Sequence, residues 1–257
     1  MLKKRIIPKF LVHNRRLVKG VRFHENWREA GNPVSTARVY DSYGVDELIF
    51  VDIDATPNGG IIDGSIIERV SEEVFMPFTV GGGVTKLEQI EKLLAQGADK
   101  VCLTTAALRD PGFVTRAAQR FGDQCIVVNI DYRETPEGRK VYAACGGEAT
   151  DQSAYDWALR MEDAYAGEIM ITSIDRDGTM SGYDLDLIHR LSDRLQKPLI
   201  ASSGAGSLDH CKMALDAGAS AITISSMFIF SDHSPIKVRS YLASNGTNVR
   251  SQTGSRS

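Results

Sequence analysis

The chain is poor in the features that mark several large protein classes. Four of its 257 residues are cysteine (Cys102, Cys125, Cys145 and Cys211), widely spaced and with no C-x-x-C pair. That spacing speaks against a zinc site or a dithiol redox motif and suits reduced cytosolic thiols. Charge of one sign is also lacking: 30 basic residues against 33 acidic ones leave a formal net charge of −3. This balance argues against bulk nucleic-acid binding. No apolar run reaches the roughly 18 residues of a membrane-spanning helix, although 42% of the residues are hydrophobic, enough for a sizeable core. The start, Met1-Leu2-Lys3-Lys4-Arg5-Ile6-Ile7-Pro8, has the basic beginning of a signal peptide, but Pro8, Lys9 and His13 break the apolar run. The expectation is a cytoplasmic protein with no membrane or nucleic-acid partner, no metal and no cofactor.

What is present is periodic. Short runs rich in Ile, Val and Phe lie near 5–12, 47–53, 77–81, 99–103, 124–131, 168–174, 198–202 and 220–225, as buried parallel strands should. Helical patterns lie between and after them, near 33–43, 62–75, 85–96, 110–121, 151–165, 184–195, 207–217 and 234–244. Asn32-Pro33 and Asp110-Pro111 place a capping residue before a proline at the first helical position. Eight strands alternating with eight helices predict a single (β/α)8 barrel over residues 1–250, followed by a disordered polar tail, 251–257. A doubly wound open sheet is the runner-up.

One pattern occurs twice. Residues 78–84 end in three glycines and a valine, and residues 199–206 end similarly, with Gly83 and Gly204 separated by 121 positions. At the same offset Gly97-Ala98-Asp99 matches Gly218-Ala219-Ser220, and both lead to small hydroxyl residues, Thr104-Thr105 and Ser225-Ser226. The barrel therefore reads as two similar halves. A strand ending in glycine before a helix exposes backbone N–H groups that suit an anion. Two such ends suggest a substrate with two phosphates.

Residues 13–32 and 132–150 are long connections, read here as structureless stretches of the kind that form lids or binding loops. Within the second, Thr135-Pro136-Glu137-Gly138 reads as a hairpin turn. Lys19, in the first, taken alone is a solvent-exposed lysine; if its loop closes over the site it can meet a phosphate. Carboxylates at the strand ends are acid–base candidates: Asp52 and Asp54, Asp131, and Asp175 and Asp177. The competing assignment for each is a helix cap or a partner for a nearby Arg or Lys. At the opposite ends of the strands, Arg5, Glu47, Lys100 and Glu168 would form a ring of alternating sign, or four ordinary solvated charges.

Lys4-Arg5-Ile6-Ile7, Leu17-Val18-Lys19-Gly20, Asp46-Glu47-Leu48, Phe78-Thr79-Val80-Gly81-Gly82-Gly83, Gly97-Ala98-Asp99-Lys100-Val101 and Thr172-Ser173-Ile174-Asp175-Arg176-Asp177-Gly178-Thr179 closely resemble the cyclase subunit of imidazole glycerol phosphate synthase. The resemblance runs from residue 1 to about residue 250. It implies a (β/α)8 barrel that docks a glutaminase on its N-terminal face. Ammonia then crosses the barrel to a bisphosphorylated ribulosyl substrate, in a lyase step of histidine synthesis. Carried over by motif, the resemblance implies that Gly83 and Thr105 would help hold one phosphate and that Gly178, Gly204, Ser225 and Ser226 would help hold the other, with Asp177 beside them. The resemblance likewise implies that Lys19 would be the loop lysine and Asp131 one of the two catalytic aspartates. Arg5, Glu47, Lys100 and Glu168 match the family's charged gate at the ammonia entrance.

The departures are as telling. The family's other catalytic aspartate ends strand one, where this chain reads Lys9-Phe10-Leu11-Val12 and Leu11 fills the position. Leu cannot exchange a proton, and general acid–base catalysis is typically worth about 10²–10⁴-fold. Thr104 stands where the family commonly has Asn, Ser203 replaces one of a glycine pair, and Asp54 replaces a Thr and offers a substitute carboxylate. The favoured expectation is a paralogue that receives ammonia and passes it to an amino-sugar amidotransferase of surface-polysaccharide synthesis, a branch this chain resembles. The alternatives are an authentic histidine-pathway cyclase and a non-catalytic scaffold.

Overall fold

Alternation along the first strand shows how the molecule is organised. In β1 (Arg5–His13), Ile6, Phe10 and Val12 join the large core between strands and helices, while Ile7 joins a second, smaller cluster inside the barrel. Period two puts Arg5, Lys9 and Leu11 on the same inner side as Ile7. The computed structural model describes residues 3–250; the expected tail 251–257 lies outside them.

Seven more strands complete the barrel: β2 (Leu48–Asp52), β3 (Phe78–Gly81), β4 (Lys100–Leu103), β5 (Ile126–Thr135), β6 (Glu168–Ser173), β7 (Leu199–Ser202) and β8 (Ala221–Ile224). All pair in parallel with their neighbours, and β8–β1 and β5–β6 pairings close the circle. Registers such as Lys9 with Ile49 and Thr172 with Asp131 set the height of each inward residue. The outer ring comprises α1 (Pro33–Ser42), α2 (Gly64–Ser71), α3 (Leu87–Ala95), α4 (Pro111–Phe121), α5 (Ala154–Asp163), α6 (Leu185–Ser192), α7 (Leu208–Asp216) and α8 (Pro235–Ser244). Each buries an apolar stripe on the strands; in α6 it is Leu187, Ile188 and Leu191. Asn32 caps α1, its side chain accepting from the Val34 and Ser35 N–H groups. The fold is a (β/α)8 barrel, as the strand–helix alternation predicts.

The halves repeat in detail. Ser71 Oγ donates to the Glu68 and Gln96 carbonyls, and Ser192 Oγ, 121 positions on, donates to those of His189 and Ala217. Short helices Thr105–Arg109 and Ser226–Phe230 follow β4 and β8 at the same offset.

Both long connections are more ordered than expected. Residues 13–32 are not structureless: β1 turns into the antiparallel strand Arg16–Val21, which pairs with Glu25–Gly31. Likewise β5 continues through the Thr135–Gly138 turn into Gly138–Ala143, which pairs with Glu148–Ser153. That last strand shortens the helix expected from 151, which starts at Ala154 under a Ser153 cap. Glu25–Gly31 has a largely exposed, polar surface, so no apolar alternation announces it; its order comes from pairing with a strand that is itself held on β1.

Candidate functional site

The N-terminal ends of the strands close on a ring of charge. Arg5 sits 2.9 Å from Glu47 and 2.9 Å from Glu168, and Lys100 bridges the same two carboxylates, at 2.9 Å each. Thr79 Oγ1 adds a hydrogen bond to Glu47 of 2.7 Å. Burial by itself would raise the Glu168 carboxyl, but Arg5 and Lys100 outweigh it and hold the group below its usual value. The four charges are brought together as one ion-paired ring rather than left as separate solvated side chains. Above it lies an apolar layer of Ile7, Ile49, Cys102, Val127, Met170, Ile200 and Ala221.

At the C-terminal ends of the strands a cavity of about 600 Å³ opens. Lys19, Gly83, Thr104, Thr105, Asp131, Asp177, Gly178, Ser203, Gly204, Ser225 and Ser226 all line it. These residues come from seven separate stretches of chain, so only closure of the barrel assembles them. The glycine turns are built tightly: a methyl group at Gly83 would overlap the Gly60 carbonyl, and one at Gly204 the Gly182 carbonyl. The two hydroxyl turns share an unusual backbone, φ −129° and ψ −85° at Thr104 and φ −132° and ψ −79° at Ser225. The sequence repeat is thus a conformational repeat around one cavity.

Asp131 is buried within β5, level with Thr172 where the barrel ends and the strand runs on into its hairpin, and removal from water pushes its pKa up to about 6, against the opposing pull of Lys9 and a hydrogen bond from Asn129. Such a group exchanges protons near neutrality. Leu11 is on the wall of the same cavity. Asp54 lies at the cavity edge, with His13 Nδ1 2.6 Å from Oδ1 and the Asn14 N–H donating to Oδ2 at 2.7 Å. The other strand-end carboxylates have local partners. Asp52 accepts from the Asp54 and Ala55 N–H groups, and Asp175 pairs with Arg133 and accepts from Glu134 N–H.

Lys19 departs from its expected exposure. It is 3% exposed, because the hairpin folds over the cavity and its Nζ lies 2.7 Å from the Asp177 carboxylate. Ser203 Oγ donates to the same carboxylate at 3.0 Å while holding φ at +77°, a left-handed conformation that costs a non-glycine residue roughly 1–2 kcal/mol. The hydrogen bond offsets part of that cost. Sequence reading missed Lys9, Asn129, Thr172 and Ser202, which line or support the cavity floor. The signal for Lys9 was available: the spacing of Arg5, Ile7 and Leu11 puts it inside the barrel.

An apolar-centred (β/α)8 barrel, sealed by charge at one end and open to a polar cavity at the other, defines the class: a barrel whose site sits at the C-terminal strand ends. Comparison with known families agrees and narrows it. The model of the histidine biosynthesis protein family matches residues 5–234, and the chain belongs to that family.

Proposed function

We propose that this barrel receives ammonia from a glutaminase docked over the Arg5–Glu47–Lys100–Glu168 ring and passes it along the barrel axis to the cavity. The observation that carries the reading is the alignment of three layers: charged ring, apolar layer, polar cavity. An apolar layer favours neutral ammonia over a bare cation, whose burial is costly. The ring is closed by ion pairs, so partner docking has to open at least one of them. The paired glycine and hydroxyl turns at the cavity suit phosphate groups, and the substrate class is a phosphorylated small molecule.

Leu11 weighs on the chemistry. With Asp131 as one proton-exchanging group and an isobutyl side chain in place of the other, the two-carboxylate cyclisation of the family lacks half its apparatus. We infer that the chain is a paralogue whose ammonia serves an amino-sugar amidotransferase of surface-polysaccharide synthesis. The His13–Asp54 pair at the cavity edge favours a second reading, an authentic cyclase that uses this pair in place of the missing aspartate.

Purified protein separates the two when ammonia-dependent turnover of the bisphosphorylated ribulosyl substrate is measured. The paralogue reading expects an inert wild type and a gain of turnover in Leu11→Asp. Robust wild-type turnover that disappears in Asp131→Asn overturns it, and loss in His13→Ala then supports the cyclase reading. Co-purification of a glutaminase that is lost on Lys100→Glu or Glu168→Lys supports the ammonia route; no glutaminase in either case counts against it and leaves a scaffold.

A further inference from the structure

Lys9 has no task in the reading above. β1 carries it inward, above Ile7 and below Leu11, and it is half-buried on the cavity wall. Its partners are neutral: Nζ donates to Thr172 Oγ1 at 3.3 Å and to Ser202 Oγ at 3.1 Å. No carboxylate of the described residues lies within ion-pair distance of it, whereas Lys19 grips Asp177 and Lys100 grips two glutamates. Burial pulls the Lys9 pKa below the usual lysine value, with the charges of Asp131 and Asp177 opposing. A lysine so placed carries a larger share of the free amine, the form that attacks carbonyl carbon.

A second group stands at the other end of a hydrogen-bond chain. Thr172 Oγ1, which accepts from Lys9, donates to Asn129 Oδ1 at 2.6 Å, and Asn129 Nδ2 donates to Asp131 Oδ1 at 2.8 Å. The chain links β1, β6 and β5 and holds an amine and a carboxyl on one cavity. A nucleophile, a proton carrier and anchoring turns for phosphate therefore face the same space.

We propose that Lys9 is a nucleophilic lysine that forms an imine with the carbonyl carbon of a phosphorylated open-chain sugar held in this cavity, with Asp131 moving the protons. The proposal rests on the phosphate-binding reading of the glycine turns. In the step, the Nζ lone pair forms the C–N bond as the carbonyl π pair moves to oxygen, which takes a proton from Asp131. The nitrogen then returns a proton to the Asp131 carboxylate. The carbinolamine hydroxyl leaves as water with that proton, and the remaining N–H proton is lost to solvent as C=N forms. One water is released and nothing is oxidised or reduced.

The test uses the full chain and pyridoxal phosphate, a probe that carries an aldehyde and a phosphate ester. Borohydride reduction turns any imine into a stable secondary amine, which intact mass and peptide mapping locate. The expected result is a single adduct on the peptide that holds Lys9, reduced by inorganic phosphate and weak with phosphate-free pyridoxal. Lys9→Arg and Lys9→Met should both lose the adduct; arginine keeps the charge, so a merely electrostatic role would survive it. Asp131→Asn should slow adduct formation at least roughly tenfold without moving it. Labelling confined to Lys19 or surface lysines, or equal labelling of Lys9→Arg, overturns the proposal. Calorimetry with ribulose phosphate, run in parallel, tells which idea failed. Binding without a Lys9 adduct sinks the nucleophile and leaves the phosphate turns standing; no binding sinks both.

Discussion

Lys19 Nζ lies 2.7 Å from both carboxylate oxygens of Asp177, and the pair is sealed between the Arg16–Val21 strand and the Ser203 turn. It joins residues 158 positions apart, and Arg22 N–H adds a 2.8 Å bond to the Asp177 carbonyl. One ion pair thus ties the hairpin lid to the loop after β6. Removing one partner of a buried pair leaves an uncompensated charge, at a cost of about 3–5 kcal/mol. Lys19→Met should lower stability by that order in urea denaturation. Lys19→Met combined with Asp177→Asn should recover most of the loss, and a double-mutant cycle with no coupling would contradict the role given to this pair.

The basal ring makes a second case. Glu168 accepts from both Arg5 and Lys100, so Glu168→Gln weakens two ion pairs at once. The expected loss is about 2–4 kcal/mol, with modest salt sensitivity because the groups are shielded from solvent. Its folded pKa lies below the ordinary 4.5, so its contribution is present above that value and is lost as pH falls through the folded pKa. Wild type should therefore lose stability in acid faster than Glu168→Gln. Parallel acid-unfolding curves for the two proteins would argue against the ring as a stabilising unit.

Asp131 has the opposite sign. Its pKa moves from 3.8 to about 6 on folding, so between these values the native state holds the extra proton. Stability from this group then falls as pH rises from about 4 to about 6, and stays lower above. Asp131→Asn removes the penalty while keeping an acceptor for Asn129. It should be more stable than wild type at pH 8 by on the order of 2–3 kcal/mol, with the difference vanishing near pH 3. Urea midpoints across that range check it; a variant less stable than wild type at pH 8 would contradict the raised carboxyl.

The glycine turns predict a graded response. Gly83→Ala and Gly204→Ala force a methyl group onto a carbonyl oxygen at φ +70° and +106°, and each should cost about 1–3 kcal/mol and weaken ribulose-phosphate binding. Gly60→Ala is the control, since a methyl group there meets nothing within 4 Å. It should be neutral or stabilise by about 0.4–1 kcal/mol. Equal effects at all three positions would mean that the turns are not shaped for close approach.

The sequence by itself determined the strand–helix alternation, the half-chain repeat, and the placement of Arg5, Glu47, Lys100 and Glu168 at or just before strand starts. These follow from period-two and period-3.6 burial and from glycine turns, which act over a few residues. Only the tertiary structure decided the rest. The residues 13–32 look like a loop because their strands are stabilised by pairing with β1 rather than by an apolar stripe of their own. Lys19 looks exposed until Asp177 arrives from the loop after β6, and Lys9 looks like a break in an apolar run until Thr172 and Ser202 meet it across the barrel. The last two outcomes depend on partners more than 150 positions away, which local pattern cannot specify and barrel closure does.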